Sequence, residues 1–167
     1  MSCTPILLDD KLASDIKRAV INAIKETFNV PVEAGKVEYG QGAASLGGDM
    51  SGTIGIVQEH LDGTLMLCMG FDILSEILPH VLGKNIKITY EIAVDAVAEI
   101  TNMVFGQVKT ELNQRNHKVK LGVPCVVTGN NNFVSHFHRG RYMIVSFYIG
   151  EKMFQTYVTL HGDAASG

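Results

Sequence analysis

Within Asp95-Ala96-Val97-Ala98-Glu99-Ile100-Thr101-Asn102-Met103-Val104-Phe105-Gly106, a carboxylate and a side-chain amide stand three residues apart in a strongly helical pattern. At about 100° per residue, Asp95, Glu99, Asn102 and Gly106 fall within a stripe roughly 60° wide. Val94, Val97, Thr101, Val104 and Val108 lie on the opposite side, a mainly apolar and β-branched stripe. One face is thus committed to a core while Glu99 and Asn102 point away from it together. A side-chain amide offers both a donor and an acceptor, so it can hold a water without adding charge. A carboxylate one turn away can pair with a cation. A bare Glu-x-x-Asn is also what the wet face of any structural helix shows, so the spacing needs its context. Gly106 sits mid-helix, where it costs about 1 kcal/mol against alanine, which suits a place that another backbone or side chain approaches closely. Met103, Ile92 and Phe105 flank the stripe. Phe105 reads as core, and Met103 as a docking contact, since methionine suits adaptable interfaces.

The helix carrying this stripe runs from about Tyr90 to Asn116. An earlier one spans about Asp9 to Phe28, where Ile16, Ala19, Val20, Ala23, Ile24 and Phe28 recur at three- and four-residue spacing. It ends before Pro31, because the residue preceding proline resists helical geometry. Short strand-like segments follow at Lys36–Gln41, Ser51–Gln58 and Thr64–Met69. The Asp-Gly in Leu61-Asp62-Gly63 predicts a tight hairpin turn between the last two. A middle helix is expected over Asp72–Leu82, stopped at Gly83. After the second long helix come Val119–Thr128, Tyr142–Ile149 and Met153–Leu160, the last two joined at Gly150-Glu151-Lys152.

The two halves therefore repeat one order: a long helix, a strand, then a hairpin. The predicted fold class is α+β, two helix-plus-three-strand units forming an antiparallel sheet with the long helices packed on it. Residues 1–161 are expected to form a single domain and 162–167 a small, polar, frayed tail.

In this order along the chain, the segments resemble the CheX family of chemotaxis phosphatases, and so imply a CheC-like fold. Asp95–Gly106 is similar to the family's second-helix signature, with Glu99 and Asn102 matching its catalytic pair. Glu26 and Thr27, followed by Val30 and Gly35, resemble the end of its first helix and the turn beyond. Ser51-Gly52-Thr53-Ile54-Gly55-Ile56 is similar to the following strand, and Val81-Leu82-Gly83 to the close of the middle helix. Gly122-Val123-Pro124, with Val126, Val127 and Gly129, resembles its turn into the next strand. The resemblance implies hydrolysis of the aspartyl-phosphate on a phosphorylated CheY-type receiver, supplied in trans. It assigns water positioning to Asn102 and pairing with the receiver's lysine to Glu99, with Asp95, Met103 and Gly106 at the partner contact. It implies no cofactor of the chain's own, Mg2+ on the partner, and a homodimer joined across a sheet edge. The chief alternative is a non-catalytic binding or scaffold module of the same fold. A small-ligand sensor using the glycine-rich loops is a third class.

Other signals are weaker. Glu26-Thr27-Phe28-Asn29 also carries a carboxylate and an amide three apart, a spacing the CheC branch uses on both long helices. Asn29 stands at a fraying end beside Val30-Pro31, so no second site is expected there. His136-Phe137-His138 puts two imidazoles on one strand face without an evident third ligand, so no metal site is expected. Gly40-Gln41-Gly42 and Gly47-Gly48 lack the GK[ST] of a phosphate loop and read as turns. Lys118, Lys120, Arg139 and Arg141 suggest a mild positive patch or a solvated strand face. The 167 residues are 46% hydrophobic and 19% charged, with net charge −3, a composition that folds but lacks the cationic footprint for nucleic acid. No signal peptide or run of about 18 apolar residues is present. Cys3, Cys68 and Cys125 are an odd set without ligand spacing, as expected for reduced thiols in the cytoplasm.

Overall fold

The computed structural model describes residues 3–129 and 140–162, together with the backbone of 132–134. Helix α1 spans Asp10–Phe28. Asp9 caps it by accepting the N–H of Leu12, and Asn29 ends it with left-handed backbone (φ 54°, ψ 38°) and an N–H donated to the Lys25 carbonyl. Asparagine tolerates that conformation better than most residues. Strands β1 (Glu33–Gln41), β2 (Ala44–Leu46), β3 (Met50–Gln58) and β4 (Leu61–Met69) follow, then the short helices α2 (Phe71–Ile77) and α3 (Pro79–Leu82). The second long helix, α4, spans Tyr90–Gln114. Strands β5 (Lys120–Leu121), β6 (Cys125–Thr128), β7 (Asn132–Val134), β8 (Arg141–Ile149) and β9 (Lys152–Gly162) complete the chain.

The main sheet is antiparallel in the order β1-β8-β9-β4-β3-β5, with β6 also on β3. Each half closes its hairpin, β3–β4 or β8–β9, and the hairpins meet at a central β4–β9 pair. The remaining strands of each half cross over. β1 pairs with β8 of the second hairpin, while β5 and β6 pair with β3 of the first. The short strands β2 and β7 pair with each other as a separate ribbon. The expected repeat of order is therefore present, with its outer strands exchanged between halves.

Strand alternation divides the side chains between two faces. One face, with Met50, Ile54, Ile56, Leu65, Leu67, Met143, Val145, Phe147, Phe154 and Val158, buries against α1 and α4 in the main core. The other carries a smaller cluster of Ala44, Leu46, Met66, Cys68, Ile144 and Tyr157, to which β2 contributes.

Several boundaries differ from the sequence pattern. The β3–β4 turn is Glu59-His60, since Gln58 pairs with Leu61, and neither turn residue has positive φ. Asp62 and Gly63 lie inside β4 instead. A Cβ on Gly63 would run into the Thr159 carbonyl of β9 and stand 2.9 Å from the Leu160 side chain, so this glycine serves strand packing. The middle helix is interrupted at Leu78-Pro79, because proline supplies no N–H to the preceding turn. Val119–Thr128 divides into β5 and β6 around Gly122-Val123-Pro124. Helix α4 stops two residues short of Asn116, whose φ is 65°.

Candidate active site on helix α4

Thr89 caps α4 by accepting the N–H of Ile92 at 3.3 Å, and Glu91 in the first turn suits the positive end of the helix dipole. Ala93, Val97, Ile100, Thr101, Val104, Phe105, Val108 and Leu112 are buried. Glu91, Asp95, Glu99 and Asn102 are exposed on the other side, while Met103 and Gly106 are half-buried. The stripe expected from spacing thus stands on the solvent face. Neither Glu99 nor Asn102 makes a side-chain hydrogen bond or ion pair with another described residue. Met103 packs against the core edge and Phe105 lies wholly within it. A Cβ on Gly106 would meet nothing within 4 Å. No close approach among the described residues accounts for that glycine.

Two devices anchor the back of α4. At Gly52 of β3, an added Cβ would lie 2.8 Å from Thr101 Cβ and 3.1 Å from Val97 Cγ1. The missing side chain lets the helix sit directly on the strand. Thr101 Oγ1 donates to the Val97 carbonyl at 2.6 Å, which satisfies the buried hydroxyl. One turn of α4, Val97–Thr101, is therefore pressed onto the sheet beneath Glu99.

The second device is an ion cluster between the long helices. Asp15, almost wholly buried, accepts from Arg115 and, at 2.9 Å, from Arg18, which also pairs with Glu111. Burial pushes the Asp15 carboxyl up, but the hydrogen bonds and charge of Arg115, supported by Arg18, outweigh it and hold the group below the usual carboxylate range. Because Asp15 meets Arg115 while Arg18 meets Glu111, α1 and α4 run antiparallel. Beyond α4, buried Gln58 accepts the Ile6 N–H at 3.2 Å and donates to the carbonyls of Thr4 and His117. Apart from the Asp15–Arg18 pair, three residues apart on α1, neither cluster has a local sequence signature, because the partners lie about 50 to 100 residues apart.

The other expected positions are less organised. Glu26 and Asn29 are both exposed, but Asn29 is the left-handed cap, outside the last helical turn. Lys120 and Arg141 lie on β5 and β8, with β3, β4 and β9 between them, so they form no common patch. His136, His138 and Arg139 lie outside the described residues, among which no cluster of three or more metal-ligating side chains occurs. No described helix is long and apolar enough to cross a membrane. An open cavity of about 220 Å³ lined by Ile6, Leu7, Leu12, Leu112, Arg115 and His117 sits at the far end of α4 from Glu99.

Two strand-exchanged halves under a pair of long helices make this a CheC-like fold. A CheC-like superfamily protein from Shewanella sp. PV-4 is similar at 26% identity, over 93% of this chain and 100% of that one, with a TM-score of 0.80. The chain belongs to the CheX family: the model for chemotaxis phosphatase CheX matches residues 50–148, more than half of its length. The fold is shared by the chemotaxis protein CheX from Vibrio vulnificus, at 23% identity over 90% of this chain and 99% of that one, with a TM-score of 0.77. It is also shared by the solved complex of CheX with CheY, BeF3 and Mg2+ from Borrelia burgdorferi, at 15% identity over 90% and 97%, with a TM-score of 0.72. Among curated proteins no relative matches the sequence.

Proposed function

We propose that this chain is a cytoplasmic phosphatase that hydrolyses the aspartyl-phosphate of a phosphorylated CheY-type receiver, in chemotaxis or a related two-component circuit. The observation that carries the reading is the exposed Glu99–Asn102 pair on one turn of a helix whose opposite face is locked to the sheet. Both side chains are free to meet a partner, and the backbone bearing them is held.

Asn102 enters the receiver's site and holds a water through its amide, in line with the bond from phosphorus to the aspartyl oxygen. The water oxygen bonds to phosphorus as that bond breaks, which regenerates the carboxylate and releases inorganic phosphate. Mg2+ on the receiver neutralises charge on the phosphoryl oxygens, so the work of this chain is positioning. An amide suits the task because a carboxylate there would be repelled by the phosphoryl group. Glu99 stands about 4.5 Å along the helix axis from Asn102 and pairs with the receiver's lysine. Asp95, Met103 and Gly106 border the contact. With no close neighbour among the described residues, Gly106 leaves room for the partner's approach.

We further propose a homodimer joined at a sheet edge, for which β1 at one end and β5 with β6 at the other are available. The test of the main reading is phosphate release from receivers of the same organism, offered one at a time. One of them should lose its phosphate markedly faster when the chain is added. If every receiver keeps its phosphate for as long as it does alone, the catalytic reading fails and the chain is a binding module.

A further inference from the structure

The stripe on α4 is too small to hold a protein partner by itself. A stable protein contact takes about 800 Å² per partner, some 20 to 30 residues in a patch about 30 Å across. Asp95, Glu99, Asn102, Met103 and Gly106 are five residues on one helix face. A contact centred on them extends about 15 Å along α4 in either direction.

Toward the C-terminal end, the exposed residues Thr110, Asn113 and Gln114 are polar. Toward the N-terminal end lies the connector His80–Thr89, made of the last three residues of α3 and the link from it into α4. Every residue from His80 to Lys87 is exposed, and three are branched and apolar: Val81 at 53%, Leu82 at 39% and Ile86 at 45%. Tyr90, which opens α4 about 14 Å from Glu99 along the axis but on the opposite side of the helix, is 45% exposed and stacks on Phe71, so it belongs with the connector and not with the stripe. Single exposed apolar residues need no explanation, but several in one short segment mark an interaction surface. Backbone hydrogen bonds tie the connector to the turn before it. The N–H groups of Val81, Leu82, Gly83 and Ile86 donate to the carbonyls of Leu78, Leu78, Pro79 and Gly83.

Charge completes the argument. The exposed carboxylates Glu91, Asp95 and Glu99 give α4 a negative face, which by itself repels a phosphorylated, acidic site. The connector carries His80, Lys84 and Lys87, all exposed. Building on the reading above, we infer that the His80–Thr89 connector is the docking lobe for the phosphorylated receiver. Val81, Leu82 and Ile86 cover an apolar patch beside the receiver's phosphorylation site, and Lys84 and Lys87 face the carboxylates around it. Glu99 and Asn102 then act on a partner that the connector has selected.

The test is a binding titration of a same-organism receiver loaded with Mg2+ and beryllofluoride, run beside phosphate release. The variants are Val81→Ser with Ile86→Ser, and separately Lys84→Glu with Lys87→Glu. The apolar pair should weaken binding about tenfold, with KM rising to match and kcat at saturating receiver unchanged. The charge reversal should also weaken binding, by a factor that shrinks as salt is added. A parent that releases phosphate while both variants bind as it does overturns the docking lobe and leaves the catalytic reading standing. A parent that binds without releasing phosphate, and loses binding in both variants, supports the lobe and removes the catalysis. If the apolar pair instead converts a dimer to a monomer with receiver affinity unchanged, the patch is a subunit contact and the inference is wrong.

Discussion

Replacing Gly52 with alanine should damage catalysis without touching the stripe that performs it. The new Cβ would stand 2.8 Å from Thr101 Cβ and 3.1 Å from Val97 Cγ1, and closer still to the Thr101 hydroxyl. Rotating Thr101 could remove the hydroxyl, at the loss of its 2.6 Å hydrogen bond to the Val97 carbonyl, a net of about 1 kcal/mol. Rotation does not move Thr101 Cβ, which falls about 0.6 Å short of the 3.4 Å of ordinary contact. Helix α4 must therefore lift from β3 by roughly that amount at the turn bearing Glu99. Overpacking of this kind costs about 1–3 kcal/mol, partly offset by about 0.4–1 kcal/mol from the stiffer unfolded chain. Tm should fall by about 2–8 °C for a chain of this size. A displacement approaching 1 Å can cost on the order of 100-fold in a positioning reaction, so we expect kcat to drop roughly tenfold or more. Thr101→Ala in the Gly52→Ala background should recover little of the activity, because alanine keeps the Cβ that stands 2.8 Å from the new one. Thermal unfolding and receiver phosphate release on the parent, both single variants and the double variant decide the matter. A Gly52→Ala protein with parental Tm and turnover would refute the seating argument.

Glu99→Gln should cost about 2–5 kcal/mol where the pair is desolvated, and Glu99→Lys should be worse still in both receiver affinity and turnover; equal, near-parental behaviour of both would make Glu99 a plain surface residue. Asn29→Ala should leave phosphate release near the parental rate, because Asn29 is a helix cap rather than part of a turn-paired stripe; a loss matching that of Asn102→Ala would mean a second working site. Asp15→Asn should destabilise the fold by about 3 kcal/mol at neutral pH, since it leaves Arg115 without its charge partner. The Asp15 carboxyl is held below its ordinary range, so its contribution is complete above about pH 4 and is lost as pH falls through the lower folded value. Denaturant melts at pH 6 and pH 3 should show the gap between parent and variant shrinking in acid, and a gap independent of pH would contradict the assignment.

The long helices and the stripe were legible because both rest on local periodicity. Leu12, Ile16, Val20 and Ile24 in α1, and Val97, Ile100, Val104 and Val108 in α4, bury as their spacing requires, and this alone turns Glu99 and Asn102 outward. The β3–β4 turn was misplaced because Asp62-Gly63 is a turn signal by residue type, whereas its glycine answers to a β9 carbonyl nearly 100 residues away. The crossing of β1, β5 and β6 between halves was invisible for a related reason. Strand pairing depends on partners in the other half, and nothing local distinguishes an exchanged strand from one kept at home. The Asp15–Arg115 clamp is likewise non-local, since each residue alone reads as a charged helix position. Of the site, position and direction could be read from the sequence. The support beneath it could not, nor could the exposure of Val81 and Leu82, which a middle-helix assignment left undecided, or of Ile86 beyond it.

The central claim is that Asn102 positions the attacking water. Asn102→Ala should fold as the parent does, because the side chain is exposed and touches no polar partner among the described residues. It should still bind a beryllofluoride-loaded receiver. Its rate of phosphate release at saturating receiver should fall by about 100-fold or more, the cost of about 3 kcal/mol for one positioning group. A folded Asn102→Ala protein that releases phosphate at the parental rate would contradict the account.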